Sequence, residues 1–97
     1  MDNDWRSLRI GHRVRIIKLP SGVDAPGVTF HTDTRRLYNR LIARGRSVRV
    51  SSIDAWGLPW IHCRFRLKDG RWEYHWLAIN DDSWVRVLPR TKKRSAG

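Results

Sequence analysis

The sequence predicts a mainly β domain: five short strands forming a small, partly open barrel, with one short helix inserted in the connection between the first and second strands. Three observations carry this. In two runs apolar residues alternate with arginines, Val14 and Ile16 against Arg13 and Arg15, and Val48 and Val50 against Arg49, as half-buried strands require. Two longer alternating runs flank Asp69-Gly70, a strong signal for a two-residue hairpin, because a type I′ turn needs two residues that tolerate positive φ. Between Thr32 and Gly45 the apolar residues repeat instead at the helical spacing.

Centring the turn on Asp69-Gly70 registers a hairpin over residues 58–79. Leu67 then opposes Trp72, Arg66 opposes Glu73, Phe65 opposes Tyr74, Arg64 opposes His75 and Cys63 opposes Trp76. One face is expected to carry Ile61, Cys63, Phe65, Leu67, Trp72, Tyr74, Trp76 and Ala78. The other carries His62, Arg64, Arg66, Glu73 and His75, with Leu77 and Ile79 at its far end. A slip of one residue would break this separation, since side chains alternate with a period of two.

In chain order, residues 1–9 read as an N-terminal arm anchored by Trp5 and Leu8, residues 10–89 as the domain, and residues 90–97 as a basic, disordered tail. The first strand falls at 11–19 and Pro20 ends it. Pro20, Gly22, Pro26 and Gly27 mark a long loop. Thr32-Asp33-Thr34 offers helix N-caps and Gly45 a C-terminal stop. Leu37, Tyr38, Leu41 and Ile42 form the inward side of the helix. The second strand is expected at 46–53, a turn at 54–57, and the third strand from Pro59, which suits a first strand position. After the hairpin, Asn80-Asp81-Asp82-Ser83 turns the chain into a last strand at 84–88.

This pattern resembles an SH3-like barrel over residues 8–88: the Val14/Ile16 strand, the long loop after it, the hairpin, and the short turn into Trp84–Val87. The resemblance implies a partly open barrel and a binding role, not a particular ligand. Proline-peptide recognition does not carry over. That function uses an Ala-Leu-Tyr-Asp-Tyr-type segment and an acidic loop, where this chain has Lys18-Leu19-Pro20-Ser21-Gly22 and the single acid Asp24. Trp56 and Trp60 fall near the position of the family's ligand-groove tryptophan.

Composition narrows the role further. Net charge is +11, from 20 Lys and Arg against 9 acids, and six of the 97 residues are tryptophan. Arg pairs with phosphate in planar, bidentate fashion and stacks on rings. A single cysteine excludes an intramolecular disulfide framework and a cysteine-based zinc cluster. No apolar run approaches the ~20 residues of a membrane span, and the opening Met1-Asp2-Asn3-Asp4-Trp5 lacks a secretory pattern. A cytoplasmic monomer is the expectation, with no membrane partner, cofactor, metal or small-molecule substrate.

Candidate chemistry is sparse. The 22–29 loop has the glycine spacing of a phosphate-binding loop, but Val28 stands where the lysine is needed. His62 and Cys63, adjacent on a strand, point to opposite faces and cannot share a metal. Cys63 with a histidine, or Asp54 with His75, are the only pairs to consider for catalysis. The hairpin register places Cys63 on the face away from both His62 and His75, and Asp54 caps its turn, so no enzyme is expected. What remains is a binding module. Its favoured ligand is nucleic acid or another polyanion. Arg36, Arg40 and Arg44 would form a helical stripe, Arg64 and Arg66 a strand pair, and Trp56 and Trp60 would provide stacking. On the hairpin, Glu73 opposite Arg66 would offset part of this charge. The alternative is a protein–protein interaction module, with an acidic protein surface or a partner strand docking on the Trp56–Trp60 segment or on an open strand edge.

Overall fold

The computed structural model describes residues 4–89, so the 90–97 tail with Lys92, Lys93 and Arg94 lies outside the described residues. After a 3-10 turn at Trp5–Ser7 come β1 (Arg13–Ile16), α1 (Thr32–Arg44), β2 (Val48–Ile53), β3 (Pro59–Arg66), β4 (Trp72–Ala78) and β5 (Trp84–Val87). The strands form one antiparallel five-stranded sheet in the order β4-β3-β2-β1-β5, with the helix inserted between β1 and β2. The sheet does not close: β4 and β5 are its two borders. This is the open SH3-like arrangement expected, and the likeness holds at the level of topology.

β2 links the two halves of the sheet. Its Val48 and Arg49 pair with β1, while Val50 onward pairs with β3, and the register shifts between Val50 and Ser52. Such an irregularity bends the strand and raises its twist, which lets one strand serve two differently oriented halves. The inner face holds Val14, Ile16, Val50, Ile61, Cys63, Phe65, Leu77, Ile79 and Trp84. Leu37, Tyr38 and Leu41 of α1 and Leu8 of the N-terminal segment close over them. Thus the apolar residues read from α1, β1 and β3 are the core.

The helix begins one residue before the expected caps. His31 is the N-cap, its Nδ1 accepting from the Asp33 N–H at 3.1 Å. Gly45 ends the helix with φ 65° and donates its N–H to the Leu41 carbonyl at 3.0 Å. That left-handed conformation is the one glycine adopts without steric cost.

The hairpin register departs from expectation by one residue. Arg66 pairs with Trp72, Arg64 with Tyr74, Cys63 with His75, His62 with Trp76 and Trp60 with Ala78. The loop has three residues, Lys68-Asp69-Gly70: the Leu67 N–H donates to the Arg71 carbonyl at 2.7 Å, and the Gly70 N–H to the Leu67 carbonyl at 3.0 Å. Gly70 has φ 90° and takes the one left-handed position that such a loop needs. Asp69 turns back to accept from the Arg71 N–H at 3.0 Å and its Nε at 2.6 Å.

The extra loop residue reverses β4. Trp72, Tyr74 and Trp76, expected on the apolar face, point outward, 41%, 56% and 56% exposed. Leu77 and Ile79, expected on the polar face, are buried. Glu73 and His75 move to the inner side with them. Glu73 therefore does not face Arg66, and Cys63 opposes His75 rather than Trp76. Leu67, also expected inside, is only half-buried at the loop.

Candidate functional site

The outer face of the β3–β4 hairpin follows from that register. β3 contributes Trp60, His62, Arg64 and Arg66; β4 contributes Trp72, Tyr74 and Trp76. Planar groups from the two strands stack on one another. His62 stacks on Trp76, with centroids 4.4 Å apart and planes 24° apart, and on Tyr74 at 5.5 Å and 8°. The guanidinium carbons of Arg64 and Arg66 lie 4.6 Å and 5.4 Å from the Trp72 ring centre. A cation over an indole face is held by the ring quadrupole, worth about 0.5–1 kcal/mol at an exposed site. Rings and cations thus support each other on the water side of the sheet.

Basic residues extend this face across the sheet. Arg13 of β1 and Arg49 of β2 are directly opposed Cα partners, both exposed. Arg13, Arg44, Arg46, Arg49, His62, Arg64 and Trp72 line one open depression. Like charges set directly opposite each other disfavour strand pairing, so this placement costs the fold stability.

Acids do not offset it. Asp4 accepts from the Arg6 N–H, Asp24 pairs with Arg35 at 2.7 Å, and Asp69 pairs with Arg71. Asp33 lies 4.0 Å from Arg36 and 3.9 Å from His31. Asp81 accepts from Tyr38 Oη at 2.9 Å. Asp82 binds Ser21 and Lys18, and those bonds, the Ser21 hydroxyl first, hold its carboxyl well below the usual range. Glu73, among the described residues the one acid within a strand, faces inward, 2.7 Å from Arg40 and 3.1 Å from His75 Nε2. Hydrogen bonds from His75 and then Arg40 keep it ionised at a lower pH than usual. Among the described residues, Arg13, Arg49, Arg64 and Arg66 have no acidic partner.

The residues singled out from sequence do not gather on one surface. Arg64 and Arg66 stand on the outer face. Arg40 and Arg44 serve the seam between α1 and the sheet: both cover Phe65, 3.9 Å and 4.3 Å from its ring centre. Arg44 also donates to the Arg64 carbonyl at 2.9 Å. Arg36 is exposed on the helix flank, away from the outer face. Trp60 lies at the far end of that face, its Nε1 donating to Asp54 Oδ2 at 2.9 Å. Asp54 Oδ1 accepts from the Trp56 and Leu58 N–H groups, both at 2.9 Å, so one carboxylate organises the whole turn. The Trp60 bond, then the backbone ones, lower its pKa. This rigid turn holds Trp56 out in solvent, 84% exposed. Sequence reasoning missed Trp72, Tyr74 and Trp76 as surface residues. The signal available was Leu77 and Ile79, two aliphatics that share strand parity with Glu73 and His75 and belong inside.

The slipped register also puts Cys63 and His75 on one face, against expectation. It does not make a reactive pair: Cys63 is buried, and loss of solvation pushes its thiol up to about 11. A nucleophilic cysteine needs the opposite shift. No group of three or more metal-ligating side chains occurs among the described residues. Nor, among them, is any helix long and apolar enough to cross a membrane. No family model, curated protein or solved structure matches the chain.

Proposed function

We propose that this protein is a non-enzymatic binding module that holds nucleic acid, or a polyanion like it, on the outer face of its sheet. One observation carries the reading: a row of arginines without acidic partners beside three water-facing aromatic rings on β4. A fold gains nothing by opposing Arg13 to Arg49, whereas an anionic ligand turns that cost into attraction. Arg64 and Arg66 keep the contact role, and Arg13 and Arg49 join them. Stacking passes chiefly to Trp72, Tyr74 and Trp76, with Trp60 at the margin. Arg36 can add long-range attraction and Arg44 borders the same depression as Arg13 and Arg49, while Arg40 is committed to Phe65 and Glu73.

Fluorescence anisotropy with short labelled DNA and RNA at two salt concentrations tests this. Binding at low salt that falls steeply as salt rises is the expected result, since each neutralised phosphate releases counterion. Absence of binding at low salt overturns the reading.

The exposure of Trp56 on its rigid turn supports a second reading, a protein–protein interaction module. There a partner would grip Trp56 or add a strand to the border of β4 or β5. Recovery of a partner that is insensitive to salt and lost with Trp56→Ala would favour it.

A further inference from the structure

We infer that the hairpin face is built for a single strand with unpaired bases, the bases seated on the β4 rings and the phosphates on the arginines of β3, β2 and β1. This rests on the polyanion reading above and names the kind of polyanion. The first argument is spacing. Alternate residues of a strand stand about 6.6–6.8 Å apart, close to twice the ~3.4 Å step of a stacked nucleic-acid strand. Rings at Trp72, Tyr74 and Trp76 therefore repeat with the period of a strand whose bases alternate with protein rings.

The second argument is that planar groups already occupy those stacking positions. His62 lies against both Tyr74 and Trp76, and Arg64 and Arg66 lie over Trp72. A base is a flat group of the same thickness. By replacing Arg64 over Trp72 it frees the guanidinium to swing toward the backbone phosphate that arrives with the base. The third argument is the division of labour across the sheet: aromatic rings stand on the border strand β4, while Arg49 and Arg13 stand on β2 and β1. A single strand laid along β4 has two parts to offer these groups, bases for the rings and phosphates for the cations beyond them. A duplex cannot offer the first part, because its bases are paired and stacked upon each other.

Anisotropy with a labelled single strand, the duplex of the same sequence, and inorganic polyphosphate as competitor separates the possibilities. Tyr74→Val and Trp76→Val remove a ring yet keep strand propensity, and circular dichroism confirms that each variant folds. Each is expected to weaken single-strand binding by roughly 5- to 150-fold, the usual loss per stacked base. Arg49→Gln is expected to lower the salt slope for the single strand by roughly 0.7, one phosphate contact. Duplex binding as tight as single-strand binding, or indifference to both ring variants, overturns the stacking inference and leaves the polyanion reading standing. Failure of every anion to bind at low salt overturns both.

Discussion

Tyr38 shows how one side chain can tie the helix to the far end of the sheet. It is 3% exposed, and its hydroxyl donates to Asp81 beyond β4. Burial first, then the Asp81 charge, raise the phenol far above its ordinary value of 10.0. The folded state therefore keeps a proton that the unfolded chain releases. Stability is complete below about pH 10 and falls above it, by up to about 1.4 kcal/mol for each further pH unit. Denaturant titrations at neutral pH and above pH 10 measure this. Tyr38→Phe should flatten the alkaline loss while costing about 1 kcal/mol at neutral pH, the worth of an ordinary hydrogen bond.

Among the elements, the β3–β4 hairpin decides the character of the surface, and its loop decides the hairpin. Gly70 holds φ 90°, where an added methyl group would meet no close neighbour apart from the flexible Arg66 guanidinium at 3.9 Å. The effect of Gly70→Ala is thus backbone strain alone. A loss of about 1–2 kcal/mol in urea denaturation is expected; an unchanged midpoint would mean that the loop relaxes to another turn. The same loop explains how far the sequence could be read. β1, α1 and β3 were legible, because Val14 and Ile16, and Ile61, Cys63 and Phe65, each keep one strand parity, and Leu37, Tyr38 and Leu41 keep one side of the helix. β4 was not, because Trp72-Glu73-Tyr74-His75-Trp76 looks apolar on the parity that turns out to face water. Asp-Gly suits both a two-residue and a three-residue loop, and only Leu77 and Ile79 argued for the latter. The candidate site was legible in Arg64 and Arg66 for the same reason that β3 was. Its aromatic half was hidden by one residue of loop length.

For the molecule as a whole, the described acids sit at turns, caps and the helix seam, leaving the outer sheet face to cations. Salt should then act in opposite directions on stability and on binding. Screening Arg13 from Arg49, and the +11 net charge from itself, should raise the thermal midpoint with added sodium chloride, while ligand affinity declines. Arg49→Thr should gain about 0.2–1 kcal/mol of stability, the range for a cross-strand pair, and lose part of the salt response. A midpoint that falls with salt would show instead that the surface ion pairs outweigh the repulsion.

β4 carries three exposed rings and is, among the described strands, a border of the sheet paired on one side only. Bare borders of this kind invite two copies to zip together, and positive charge is a common guard against it. Arg64 and Arg66, paired across from Tyr74 and Trp72 on the adjoining strand β3, supply that guard here. A bound polyanion would cancel it, so near charge balance the protein should become more prone to self-association, and excess of either component should restore its solubility.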